Sequence, residues 1–157
     1  MTAQKMSEIS LQSLPPMRMA CYQAISLEPE NEGLQFMDAW AAARGLREVR
    51  RFGFDSPVSE EQAKTGLRGY EQWYTVPERI AGANGVMIRQ FPGGRYAVLR
   101  LFNPFEAPFE TIPAGWQHLH EWVQSQADVK GGCHQCLEEL VPGEGGALDL
   151  VLYYPIE

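Results

Sequence analysis

A chain of 157 residues, 45% hydrophobic and 11% aromatic, has the substance for one globular domain with a real core, and no separate DNA-binding module fits beside it. Its formal net charge of -7 sets it against the phosphate backbone of nucleic acid and against anionic membrane surfaces. No apolar run approaches the length that spans a bilayer, and no charged and then apolar leader opens the chain, so a soluble cytoplasmic protein is expected.

In chain order, residues 1–13 have no clear period and read as a frayed N-terminal segment or a short edge strand. After Pro15-Pro16, the run Met17 to Ile25 reads as a mostly buried strand. Pro29-Glu30-Asn31-Glu32 then starts a helix, with acids at the positive end of its dipole, and Gly45 stops it. Leu34, Met37 and Ala41, with Phe36 and Trp40 beside them, give that helix a wide apolar stripe suited to a sheet. Strands follow at Arg50 to Phe54 and Gly69 to Val76, with a polar loop between them. Val86 to Gln90 and Arg95 to Phe102 flank Pro92-Gly93-Gly94, a hairpin signal. A second helix is placed from about Thr111, with Pro113 in its first turn, to before Asp128.

The last stretch is the most informative. Cys133 to Pro142 reads as one strand between Gly131-Gly132 and Pro142-Gly143, paired with a terminal strand from Ala147 to Ile156. Alternation sets Cys133, Gln135, Leu137 and Glu139 against His134, Cys136, Glu138 and Leu140, so one of two adjacent carboxylates turns toward the core. A buried carboxylate is costly unless something positive or hydrogen-bonding meets it. Cys21, Cys133 and Cys136 make an odd count, which fits a reducing compartment without structural disulfides. The spacing of Cys133 and Cys136 also admits a redox pair or half a zinc site, but no further ligand completes a recognisable metal pattern, and neither a metal nor another cofactor is expected.

The halves repeat. Gly33, Gln35 and Trp40 return in register as Gly115, Gln117 and Trp122, and the strands around each helix follow the same order. The predicted fold is therefore α+β: a strand-helix-strand-strand unit, duplicated at about 14–78 and 85–157 within one domain over 14–157. The two copies join into a curved antiparallel sheet, with two helices on one face and a central cleft.

Four stretches carry a resemblance: Gly69-Tyr70, Pro92-Gly93-Gly94-Arg95-Tyr96-Ala97, Leu137-Glu138-Glu139-Leu140 and the terminal strand from Leu148 to Ile156. Together with the repeat they resemble the GyrI-like small-molecule-binding domain, also found as the effector-binding domain of Rob- and BmrR-type regulators. The resemblance implies a stand-alone form, without a DNA-binding half, and it implies that Glu138 is the acid of the pocket floor. Leu140 stands where that family commonly has an aromatic residue.

Around Glu138 the candidate ligand-binding residues are Trp116, Tyr74, Tyr153, Trp73 and Tyr22. Tyr74 and Tyr153 are candidates to hydrogen-bond Glu138 or to serve structural networks, and only one of Trp73 and Tyr74 can face a cavity. An acid with aromatic walls suits an amphipathic, aromatic cation. The resemblance also implies two other readings: a hydrolase of strained, cyclopropane-bearing electrophiles, in which Glu138 would be the acid or base, and a module that binds a protein partner such as gyrase or a transcription regulator.

Overall fold

A computed structural model describes residues 5–157, so the first four residues of the expected N-terminal segment lie outside the described part. In chain order the elements are β1 (Ser10–Leu14), β2 (Met17–Ser26), α1 (Pro29–Ala43), β3 (Arg51–Ser56), α2 (Glu60–Lys64), β4 (Arg68–Thr75), β5 (Met87–Phe91), β6 (Gly94–Leu101), α3 (Pro108–Ser125), β7 (Leu137–Pro142) and β8 (Leu148–Ile156). They form two compact units, Met17–Phe91 and the residues up to Pro16 together with Pro92–Glu157.

In the 17–91 unit the strands lie in the order β3-β4-β2-β5, all antiparallel. Pro29 opens α1, Glu30 and Glu32 occupy its first turn, and Gly45 ends it at a φ of 71° that a side chain would resist. Its stripe packs Met37, Trp40 and Ala41 with Ala20, Tyr74 and Val76 of the sheet side. The loop expected between β3 and β4 instead contains α2. Ser59 and Gln62 form a reciprocal capping box there, which satisfies two N–H groups and lets a single turn persist.

In the other unit the order is β7-β8-β6-β1, again antiparallel. Leu119 and Val123 of α3 pack on Ala97, Leu99, Leu101, Leu150 and Leu152. The architecture is α+β, and strand-helix-strand-strand occurs twice, as β2-α1-β3-β4 and β6-α3-β7-β8. In each copy the fourth strand lies between the third and the first. The N-terminal segment adds an outer strand, β1, to β6, as β5 does to β2.

Three expected boundaries need correction. Pro92-Gly93-Gly94 is not a hairpin: β5 pairs with β2, whereas β6 pairs with β1 on one side and β8 on the other, so β6 has no edge left for β5. Helix α3 starts at Pro108 rather than Thr111, because Pro108 fits the first helical position, and Pro113 falls inside the helix at the loss of one backbone bond. The stretch before Leu137 is irregular, not strand. Pairing with β8 starts only at Leu137, opposite Tyr153.

Candidate functional site

The register of β7 on β8 decides where the two adjacent carboxylates go. Glu138 pairs with Leu152 and Leu140 with Leu150, and both leucines of β8 belong to the cluster beneath α3. Glu138 therefore lies on the α3 side of the sheet. Leu137 and Glu139 pair with Tyr153 and Val151 and lie on the opposite side.

Glu139 is the buried one, 6% exposed, whereas Glu138 is half-buried. Tyr153 donates its hydroxyl to Glu139 Oε1 at 2.6 Å, a short charge-assisted bond. The Tyr153 ring meets Tyr96 edge-on at 5.6 Å, and Tyr96 donates its own hydroxyl to the Gln135 carbonyl at 2.8 Å. Burial first, and then the nearby Cys136, pushes the Tyr96 hydroxyl up to about 12. Both rings and the carboxylate are thus held by the protein's own contacts.

On the α3 side, Trp116 points its indole N–H at Glu138 Oε2 across 3.5 Å, a long and weak hydrogen bond. One helical turn further on, His120 Nδ1 meets the Tyr154 hydroxyl at 2.8 Å, and Tyr154 shares this face of β8. Close helix packing makes this arrangement possible: a Cβ on Gly115 would stand 2.9 Å from both Leu101 and Leu152. The result is a half-buried carboxylate beside an indole, with an imidazole–phenol pair on the next turn.

Of the six residues singled out in the sequence, the structure brings Glu138 and Trp116 together. Tyr153 bonds Glu139, on the far side of β7 from Glu138. The other three lie in the 17–91 unit. Tyr74 donates its hydroxyl to Asp38 at 2.7 Å, where Arg51 also bonds at 3.0 Å, and burial followed by the Asp38 contact pushes the Tyr74 hydroxyl upward. Tyr22 stacks on Phe36 with centroids 4.0 Å apart. Trp73 faces away from α1, against Phe54, and donates its indole N–H to Glu71 at 3.0 Å. Two surface hollows of that unit, about 270 and 520 Å³, are lined by none of these three.

Sequence reasoning passed over Tyr154 and His120. The signal for Tyr154 was present, since in the hairpin it shares the parity of Leu152, the partner of Glu138. His120 carries the same weight as Asp38 in the repeat, each five residues beyond the matched glycine and each bonded to a strand tyrosine. Among the described residues no group of three or more His, Cys, Asp or Glu could hold a metal ion, and no helix is long and apolar enough to cross a membrane.

No family model and no curated protein matches the sequence. Solved structures do resemble the fold. The crystal structure of the EcmrR C-terminal domain has a TM-score of 0.69 at 11% identity, over 96% of this chain and 97% of that one. An EcmrR–DNA complex seen by cryo-electron microscopy has a TM-score of 0.71 at 12% identity, and there the chain spans only 57% of the longer EcmrR chain. A hydrolase encoded by lin2189 from Listeria innocua has a TM-score of 0.58 at 10% identity, over 96% of this chain and 92% of that one. At such identities the likeness is one of fold.

Proposed function

We propose that this protein binds an amphipathic aromatic cation on the α3 side of β7, with Glu138 as the counter-charge and Trp116 as the stacking surface. The observation that carries the reading is the contact of a half-buried carboxylate with an indole across 3.5 Å. A carboxylate on this face attracts a cation, and the indole adds a cation–π term of ~0.5 to 2 kcal/mol. The sequence resemblance to GyrI-like domains supports a small-molecule-binding role, and the fold that resemblance implies is the one shared with the EcmrR C-terminal domain.

Divergence between the repeats supports the choice of unit. Gly33 packs against Gln72 and Gly115 against Leu152, which makes those strand positions counterparts. The residue paired with Gln72 is Gly53, and the residue paired with Leu152 is Glu138. In the 17–91 unit the space beside Gly53 is filled by the Tyr70 ring, so that copy closes over itself. The other copy presents an acid.

Titration of rhodamine 6G, a flat aromatic cation, followed by fluorescence anisotropy tests the reading. Wild type is expected to bind, and Glu138→Gln to bind at least ~10-fold more weakly with an unchanged melting temperature, the loss of one charge-assisted contact. Equal affinity in the two proteins would overturn the assignment.

A further inference from the structure

Had residues 133–136 continued as strand, Cys133 and Cys136 would face opposite ways, roughly 10 Å apart along the chain. The structure places them instead in a loop anchored along its length. At its start Gly131 bridges to Ile156, and Gly132 donates its N–H to the Pro155 carbonyl at 2.9 Å. At its end Leu137 is buried and paired with Tyr153. The two residues between the cysteines are both fixed to β6: His134 Nε2 donates to the Arg95 carbonyl at 2.8 Å, and the Gln135 carbonyl accepts the Tyr96 hydroxyl. The His134 ring also meets Tyr96 edge-on at 5.0 Å and lies close against Gly94 and Gly132, where an added Cβ would stand 2.9 and 2.8 Å from it. Both cysteines remain free thiols on exposed residues.

We propose that Cys133 and Cys136 form a thiol–disulfide exchange site whose co-substrate is a small-molecule disulfide such as oxidised glutathione. A loop already bent and pinned spends little further entropy on closing, which favours an intrachain bridge over a lasting mixed disulfide. The Cys133 thiolate attacks one sulfur of the small disulfide and expels one thiol, leaving a mixed disulfide on Cys133. The Cys136 thiolate then attacks the Cys133 sulfur and expels the second thiol. Two cysteine thiols are oxidised and one small disulfide is reduced to two thiols. Cys133 takes the first step because partial desolvation of the Cys136 thiol and, to a smaller degree, the charge of Glu138 push that thiol upward although the residue is exposed. Cys21 stands apart from this chemistry, buried and with its thiol pushed up to about 12 mainly by burial.

The test is to incubate the full-length protein with oxidised glutathione, quench it with acid and iodoacetamide, and map its peptides by mass. In the wild type the peptide that holds both cysteines is expected to lose two hydrogens and to resist alkylation, and reduced glutathione restores it. In Cys136→Ser the glutathionyl adduct on Cys133 is expected to accumulate at least ~10-fold above the wild-type level, because its resolving thiol is gone. A wild-type adduct that accumulates as much as in Cys136→Ser would overturn the proposal, as would two cysteines that stay alkylatable or a bridge that forms between chains.

Discussion

Glu138 stands where the other copy of the folding unit has Gly53. The correspondence follows from the helix glycines, since Gly33 and Gly115 each press on the strand residue that pairs with this position. One copy fills the place with the Tyr70 ring, and the other leaves a carboxylate beside Trp116. A duplicated scaffold thus carries an acid at one of two equivalent places.

The two neighbouring carboxylates should separate by experiment. Glu138→Gln is expected to weaken rhodamine 6G binding at least ~10-fold and to leave the melting temperature unchanged. Glu139→Gln should do the reverse, keeping dye affinity and losing ~1 to 3 kcal/mol of stability, because it leaves the Tyr153 hydroxyl with a poorer acceptor in a buried site. Parallel anisotropy titrations and urea melts check both. Equal effects of the two variants on the dye would contradict the facing derived from the β7–β8 register.

The helix glycines should differ in their tolerance of a methyl group. At Gly115 an added Cβ meets Leu101 and Leu152 at 2.9 Å, and both leucines are fully buried. Overpacking of ~1 to 3 kcal/mol exceeds the ~1 kcal/mol of helix propensity gained, so Gly115→Ala is expected to destabilise in chemical denaturation. At Gly33 the nearest atom is Gln72 Cγ at 3.0 Å, on a longer and more pliable side chain. Gly33→Ala should be close to neutral.

Alkali should expose the Tyr96 network. Its folded-state hydroxyl is raised, mainly by burial, to about 12 from the ordinary tyrosine value of 10.0, so the folded protein keeps a proton that the unfolded chain releases. The stabilisation is complete below pH 10 and is lost as pH rises toward 12, with a slope of at most ~1.4 kcal/mol per pH unit. Tyr96→Phe should be less stable at neutral pH, having lost the bond to the Gln135 carbonyl, and should show a shallower decline in that window. Urea melts across the range measure it.

The equivalent helix positions should differ in cost. Asp38 accepts bonds from Tyr74 and from Arg51, so Asp38→Ala leaves a buried tyrosine and a guanidinium short of an acceptor, at ~1 to 3 kcal/mol. His120→Ala removes a partner from Tyr154, which is less buried, and should cost ~1 kcal/mol or less. Thermal melts of the two variants give the comparison.

Much of the fold was legible in the residues because periodicity is local. The α1 stripe of Met37, Trp40 and Ala41, the return of Gly33 as Gly115 and the nearly unbroken apolar run of β8 all express the geometry of one helix or one strand. The misread segments depended on partners distant in sequence. Pro92-Gly93-Gly94 has the chemistry of a hairpin, but β6 had already been taken by β1 and β8. The Cys133–Cys136 stretch has the composition of a strand, but His134 and Gln135 are held by Arg95 and Tyr96, and pairing waits until Leu137.

The sequence alone determined that two adjacent carboxylates would face opposite ways, since neighbours on a strand cannot do otherwise. It could not say which of them goes under, nor which aromatic each would meet. The register of β7 on β8 made that decision by pairing Leu137 with Tyr153, which sends Glu139 toward the Tyr153 hydroxyl and Glu138 toward Trp116 of α3. A one-residue shift of register exchanges the two roles, and register is set by side chains packing across the whole unit rather than by the residues that depend on it.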